Sequence, residues 1–328
     1  MRSVIAISVL ACLAIAGCTS SSGIDDFMPR PSNEVTSSIS RPPDAPLPPA
    51  AVAAAAADAA DVEQPVDEAT PQETPELPAE TVAYVAPARP AAAALRAGPI
   101  YQHRFRDAKP INFGKRSPKQ LAVHGVDVSW WQGKIDWQKL RSNGANFVYM
   151  KATDGGDHLD PMFKKNWRAA EQAGLKRGAY HFFYWCRTAG EQADWFIRNV
   201  PRVEGALPPV IDVEWNGDSN CKRRPSRAKV LEKMQVFMDK VERHYGQRPI
   251  IYTSPDFYRD NLKGAFPDYP FWLRAVAQHP SKVYPGRKWV FWQYSGSGLA
   301  HGLKGRIDLN VFHGSEQDWH QWVAGNEG

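Results

Sequence analysis

None of the twelve tryptophans in this 328-residue chain precedes Trp130. Prolines run the other way, with sixteen of the twenty-seven between residues 19 and 120. A stretch rich in Pro and Ala and nearly free of aromatic residues cannot bury enough apolar surface to offset the entropy of ordering it. One fold spread over the whole chain is therefore excluded. The sequence divides into a leader over 1–17, an Ala/Pro-rich disordered tether over 18–120 and a globular part over 121–328.

Charge divides along the same line. Residues 19–98 carry a net −8 and residues 99–328 a net +12, so the formal +5 of the chain averages an acidic tether and a basic body. A basic body suits an anionic partner or substrate. No clustered Lys/Arg helix and no RNA-binding signature occurs, so nucleic acid is not an expected partner.

Met1-Arg2, the apolar run 4–16 and the small residues at its end read as a secretory signal, too short to span a bilayer. Ile15-Ala16-Gly17-Cys18 resembles the lipobox of bacterial lipoproteins. That resemblance implies cleavage before Cys18, lipidation of its thiol and anchoring to a membrane. Thr19 after it favours the periplasmic face of the outer membrane. The alternative is a plain secreted protein. Only Cys186 and Cys221 then remain in the mature body. An oxidising compartment predicts a disulfide between them, with two separate thiols as the other reading. No CxxC or HExxH spacing suggests a zinc site.

Beyond residue 120 the pattern changes to short, near-continuous apolar runs over 124–128, 146–152, 177–184, 209–214, 249–252, 271–275, 290–294 and 307–312. Such runs suit parallel strands covered by helices. Helical patterns fill 137–142, 162–173, 190–199 and 226–245, and the later connections are short and irregular. Alternation of this kind predicts an α/β fold, an irregular (β/α) barrel of eight strands with reduced later helices. Chemistry in such barrels sits at the C-terminal strand ends.

Four acids fall at suggestive places on these strands. Asp127 lies near the end of the first, Asp212 and Glu214 close the fourth, and Asp308 lies on the eighth. Asp212 and Glu214, two apart, project to one face about 6–7 Å apart. Carboxylates this close cannot all ionise freely, so one is held protonated beside a charged partner, as glycoside hydrolysis requires. A Mg²⁺ or Ca²⁺ site is the competing reading. The aromatic residues favour sugar: Trp131, Tyr180, Trp215, Tyr252 and Trp292 fall at or near strand ends, where rings can stack on sugar faces. Trp167 and Trp195 lie in helical patterns and read as core, and His181 reads as a hydrogen-bonded structural histidine.

From about His124 to Val323 the sequence resembles the glycoside hydrolase family 25 lysozymes, or muramidases. Ordered motifs carry the likeness: Gly125-Val126-Asp127-Val128-Ser129, Lys151-Ala152-Thr153, Gly178-Ala179-Tyr180-His181-Phe182, Asp212-Val213-Glu214, Trp292-Gln293-Tyr294 and Asp308-Leu309-Asn310. The resemblance implies cleavage of the β-1,4 bond between N-acetylmuramic acid and N-acetylglucosamine in peptidoglycan, with retention, without a cofactor, by a monomer. It implies Glu214 as general acid and Asp212 as its partner carboxylate. A carboxylate nucleophile and the substrate's own acetamido group are the two routes to retention. The likeness of the D-x-E pair to that of substrate-assisted chitinases favours the second, with Asp212 orienting the amide. Asp127 and Asp308 match further acidic positions at the mouth, and Tyr180 a substrate contact. Two departures stand out: Asp154 where Glu is common, and the bulky run from Phe183 to Cys186. The other readings are a catalytically idle peptidoglycan-binding lipoprotein and a barrel glycosidase for chitin-like sugars.

Overall fold

A computed structural model describes residues 98–326, Asp218 excepted. The leader 1–17, Cys18 and the tether up to residue 97 lie outside the described residues. In chain order the elements are β1 (Arg106–Asp107), β2 (His124–Val128), α1 (Trp137–Ser142), β3 (Phe147–Asp154), β4 (His158–Leu159), α2 (Phe163–Gln172), β5 (Lys176–Phe182) and α3 (Ala189–Asn199). Then follow β6 (Val210–Val213), α4 (Arg227–Tyr245), β7 (Ile250–Thr253), α5 (Pro255–Phe257), β8 (Phe271–Arg274), α6 (Pro280–Val283), β9 (Phe291–Leu299), β10 (Ile307–Phe312) and α7 (Glu316–Asn326).

Eight strands close a barrel with few helices. Strands β2, β3, β5, β6, β7, β8 and β9 pair in parallel, each with the next. The eighth, β10, inserts antiparallel to both β9 and β2. Seven of the eight strands are thus parallel, as the continuous apolar runs suggest, and β10 is the exception. Residues 300–306 are too few for the dozen or more that a parallel crossover needs, so β9 can only hairpin into β10.

Inside the barrel, Phe147, Tyr149, Trp272 and Phe291 form a packed core. Glycines make that filling possible: a Cβ on Gly125 would meet the Phe147 ring at 2.6 Å, and one on Gly178 the Tyr149 ring at 2.1 Å. Trp319 of α7 packs on Phe147 and Phe312 and closes the end opposite the mouth. Outside, α4 buries the stripe Val230, Met234, Phe237 and Val241. Ser226 caps it by accepting from the Lys229 amide, and Gly246 ends it at φ 73°.

The tether does not extend to residue 120, as the composition suggests. Residues 98–120 form a strap on the barrel wall. The Asn146 side chain pairs with the Tyr101 backbone at 2.8 and 3.0 Å, His103 stacks on His124 at 3.7 Å, and β1 adds to β9. Phe105, Phe113 and Leu121 pack on the outer core. Among the described residues no long helix covers β9 and β10, and their apolar outer face needs a cover. The strap supplies it with Phe105 and Phe113, too widely spaced to stand out as a pattern in the sequence.

Candidate active site

The mouth is built in layers by strand alternation. Tyr180, Asp212 and Tyr252 come from β5, β6 and β7, with Asp212 registered opposite Tyr252. Glu214 follows β6 directly. Asp127 is the fourth residue of β2, at its C-terminal end, whereas Asp308 is only the second of β10. Because β10 runs backwards, Asp308 comes level with Asp127 at the same rim. All four carboxyl groups are buried.

Asp127 is held from below. Its Oδ1 accepts from Gln293 Nε2 at 3.0 Å and from Asn310 Nδ2 at 2.6 Å. The Tyr252 hydroxyl donates to Gln293 Oε1 at 3.1 Å, and the Trp272 indole to Asn310 Oδ1 at 2.8 Å, so both amides are fixed in orientation. Burial raises Asp127 to about pH 6, opposed by bonds from Asn310, Gln293 and Asp308. Burial, then the charge of Asp127, pushes Asp308 well above the usual carboxylate range, so Asp308 keeps its proton and donates it to Asp127.

Asp212 is pushed well up by burial and then by Glu214, with Lys151 opposing. Its Oδ1 is buried with no hydrogen-bond partner among the described residues. A buried polar atom left this way is costly unless a ligand completes it. Lys151 pairs with Asp154 at 2.7 Å, so the shorter acid at that position still fixes the cation. The bulky run after β5 serves Glu214: the Trp185 indole donates to the Glu214 carbonyl at 2.7 Å and stacks on Phe257 at 4.9 Å. Cys186 and Cys221 form a disulfide, Cα atoms 5.5 Å apart, tying together the loops after β5 and β6.

Arg274, which closes β8, is the site residue that sequence reasoning missed. It is buried among these groups; burial works against its charge, but Tyr252, Glu214 and Asp308 together hold its proton more firmly than usual. A charged residue ending the apolar run Phe271-Trp272-Leu273 was the available signal, the same one that marks Asp212.

The aromatic residues divide. Tyr180 and Tyr252 are buried at the mouth floor among the acids. Trp131 is half-buried and stacks at 3.8 Å on Trp130, whose ring is 37% exposed. Asp160 accepts from the Trp130 amide at 2.8 Å and fixes that turn. Two expectations need correction. Trp292 is 1% exposed, bonded to the Ala275 carbonyl and packed on Phe113 of the strap. Its neighbour Gln293 points into the barrel, so alternation sends Trp292 outward, away from substrate. Trp215 is 8% exposed, bonded to Asp260 and covered by Arg224, so it braces the loop after β6 and presents no open face for stacking. His181 is structural, bonded to Thr153 and Gln192 and lowered by burial to about pH 4. Among the described residues no cluster of three or more His, Cys, Asp or Glu is arranged to hold a metal ion.

A closed barrel with a proton-holding carboxyl pair on one side of its mouth and a D-x-E pair on the other is the layout of a glycoside hydrolase. Residues 126–303 match the model of glycosyl hydrolases family 25. The chain is 38% identical to the Escherichia coli (strain K12) protein YegX over 69% of its own length and 82% of that protein. It is 34% identical to lysozyme M1 of Streptomyces globisporus over 59% of its length and 68% of that enzyme. A family 25 glycosyl hydrolase from Bacillus anthracis superposes with a TM-score of 0.60 at 37% identity, covering 66% of this chain and 99% of that one. The protein belongs to glycosyl hydrolases family 25, the lysozyme and muramidase family.

Proposed function

We propose that this enzyme cleaves the β-1,4 bond between N-acetylmuramic acid and N-acetylglucosamine in peptidoglycan, with retention and assistance from the substrate's acetamido group. The observation that carries the reading is the unpartnered, buried Oδ1 of Asp212 beside Glu214. An acetamido N–H is the donor that completes it. In the resting site Asp212, raised by burial and by the charge of Glu214, holds a proton. Substrate binding passes that proton to Glu214, which delivers it to the glycosidic oxygen as the C1–O bond breaks. The acetamido oxygen bonds to C1, and Asp212, now a carboxylate, holds the N–H of the cationic ring that forms. Water, deprotonated by Glu214, then opens that ring at C1 from the face the leaving group left. Asp127, with Asp308 and Arg274, sets the field at the opposite wall. The exposed Trp130–Trp131 pair offers a stacking face for a neighbouring sugar.

The lipobox reading places the enzyme as an exported lipoprotein, anchored through Cys18 to the periplasmic face of the outer membrane and working as a monomer without a cofactor. Digestion of purified sacculi with end-group analysis tests the chemistry: new reducing N-acetylmuramic acid ends support it, and N-acetylglucosamine or anhydro ends overturn it. Cys18→Ala tests the anchor, since the protein then moves from the membrane to the soluble periplasmic fraction.

A further inference from the structure

A groove of about 470 Å³, lined by none of the four mouth acids, opens on the outer wall of the barrel. Helix α2 forms one side; the end of α3, the loop after it and the end of α4 form the other. The first two turns of α2 line it on one side, and the loop after α3, which leads to the start of β6, lines it on the other. Ile197 and Pro201 give it an apolar lining, with Phe163 and Trp167 buried beneath, and its rim carries Lys164, Arg168, Arg198 and Arg202.

The rim charge is uncompensated. The nearby acids are engaged elsewhere, Glu171 by Arg177, Asp194 by Lys240 and Glu242 by Arg248. None of the four rim cations pairs with a carboxylate among the described residues. Two are preset by other contacts: Arg202 donates to the His244 carbonyl at 3.1 Å, and Arg198 lies 5.5 Å from the Trp195 ring centroid. Trp167 is pinned beneath the lining by Arg177, 4.6 Å above its ring. Concave shape, an apolar lining and four cations without a carboxylate partner among the described residues together suit an extended chain with carboxylates spaced along an apolar backbone.

We infer that this groove is a second, non-catalytic binding site for the carboxylate-bearing peptide stems of the wall polymer, holding the sacculus while the mouth works on a glycan strand. The inference builds on the peptidoglycan reading proposed above. Anionic rather than glycan recognition makes the contact salt-sensitive and independent of the Asp212–Glu214 pair.

The test uses the full chain carrying Glu214→Gln, which leaves sacculi intact, with and without Arg168→Glu, Arg198→Glu and Arg202→Glu. Co-sedimentation is measured on intact sacculi, on glycan strands stripped of stems by an amidase, and on phosphatidylglycerol vesicles. The charge reversals are expected to weaken binding to intact sacculi by about tenfold or more at low salt, with the gap closing at high salt and absent on stripped glycan. In the otherwise wild-type chain, with Glu214 intact, cleavage of a short soluble glycan fragment stays unchanged by the reversals. Equal binding to intact sacculi, or a gap that persists on stripped glycan, overturns the inference. A loss seen on vesicles and not on sacculi reassigns the groove to anionic lipid and overturns it too. If the triple variant fails to fold, Lys164→Gln with Arg168→Gln provides the same comparison. Failure of the wild type to release fragments from sacculi would instead strike the proposed activity, which the binding measurement does not touch.

Discussion

Asp308 lies directly across the antiparallel ladder from Asp127, and the two share a hydrogen bond in which Asp308 keeps the proton. The single reversed strand of the barrel creates this pair. In a parallel β10, the second residue of the strand would sit at the closed end, under the aromatic plug.

The D-x-E pair carries the chemistry in the proposed mechanism. Glu214→Gln and Asp212→Asn are each expected to lower turnover on sacculi by about 10²–10⁴, with melting temperature no lower than that of the wild type. Release of reducing ends and thermal unfolding by circular dichroism check the two halves of this claim. Wild-type turnover in either variant would remove that residue from the mechanism.

Stability should fall as pH rises from about 4 to 6. Folded Asp127 keeps its proton to about pH 6, whereas the unfolded side chain loses it near pH 3.9, so the native state binds more protons across that window. The loss amounts to roughly 3 kcal/mol for Asp127 at full effect, and raised Asp212 and Asp308 add to it in the same direction. Asp308→Asn, neutral at every pH and still able to donate to Asp127, is expected to be more stable than wild type at pH 7 and less active. Urea midpoints across pH 4–8 measure both. A wild-type midpoint that rises with pH over this range would contradict the assigned protonation.

Gln293→Ala removes one of the bonds that favour ionised Asp127, so that carboxyl should titrate above its present value of about 6. The acidic limb of the kcat/KM profile is then expected to move upward by roughly half to one pH unit. Asn310→Ala should do the same and also cost about 1–3 kcal/mol, because it leaves the buried Trp272 indole N–H unbonded. An unmoved acidic limb in both variants would show that Asp127 does not gate turnover.

Reduction of the Cys186–Cys221 bridge, which spans 35 residues, is expected to destabilise the protein by about 3–4 kcal/mol in the loop-entropy picture. The loops it joins present Trp185 and Glu214, so activity should decline at temperatures below global unfolding. Denaturant titration with and without reductant, alongside activity, reads both effects.

The strap should behave as part of the fold. Gly144 lies at φ 109°, and a Cβ there would stand 2.1 Å from His103 Cα. Gly144→Ala is therefore expected to cost about 1–3 kcal/mol by displacing the strap. A chain beginning at residue 98 should melt like wild type, and one beginning at residue 121 well below it, because the latter bares Trp292. Matching melting curves for the two truncations would mean the strap contributes nothing.

Much of the barrel was legible because parallel, doubly covered strands write themselves as continuous apolar runs. β2 and β10 fall on the predicted ranges, and α4 differs from its range by one residue. The acids were legible for the same reason in reverse, since Asp127, Asp212 and Glu214 interrupt or end runs that otherwise exclude charge. Trp292 misled because a ring beside a strand end reads alike on either face, and only register places Gln293 inward. The strap and α7 escaped notice because each contributes a few separated apolar residues that gain meaning only against a preformed surface.

By itself, then, the sequence determined where the folded body's eight strands and main helices lie and which carboxyl groups could serve chemistry. The tertiary structure decided which of those groups meet. Burial and register are properties of neighbours distant in the chain: the hairpin into β10 brings Asp308 level with Asp127, closure of the barrel sets Arg274 among the acids, and residues 98–120 become structure only because β9 and β10 leave an apolar face to cover.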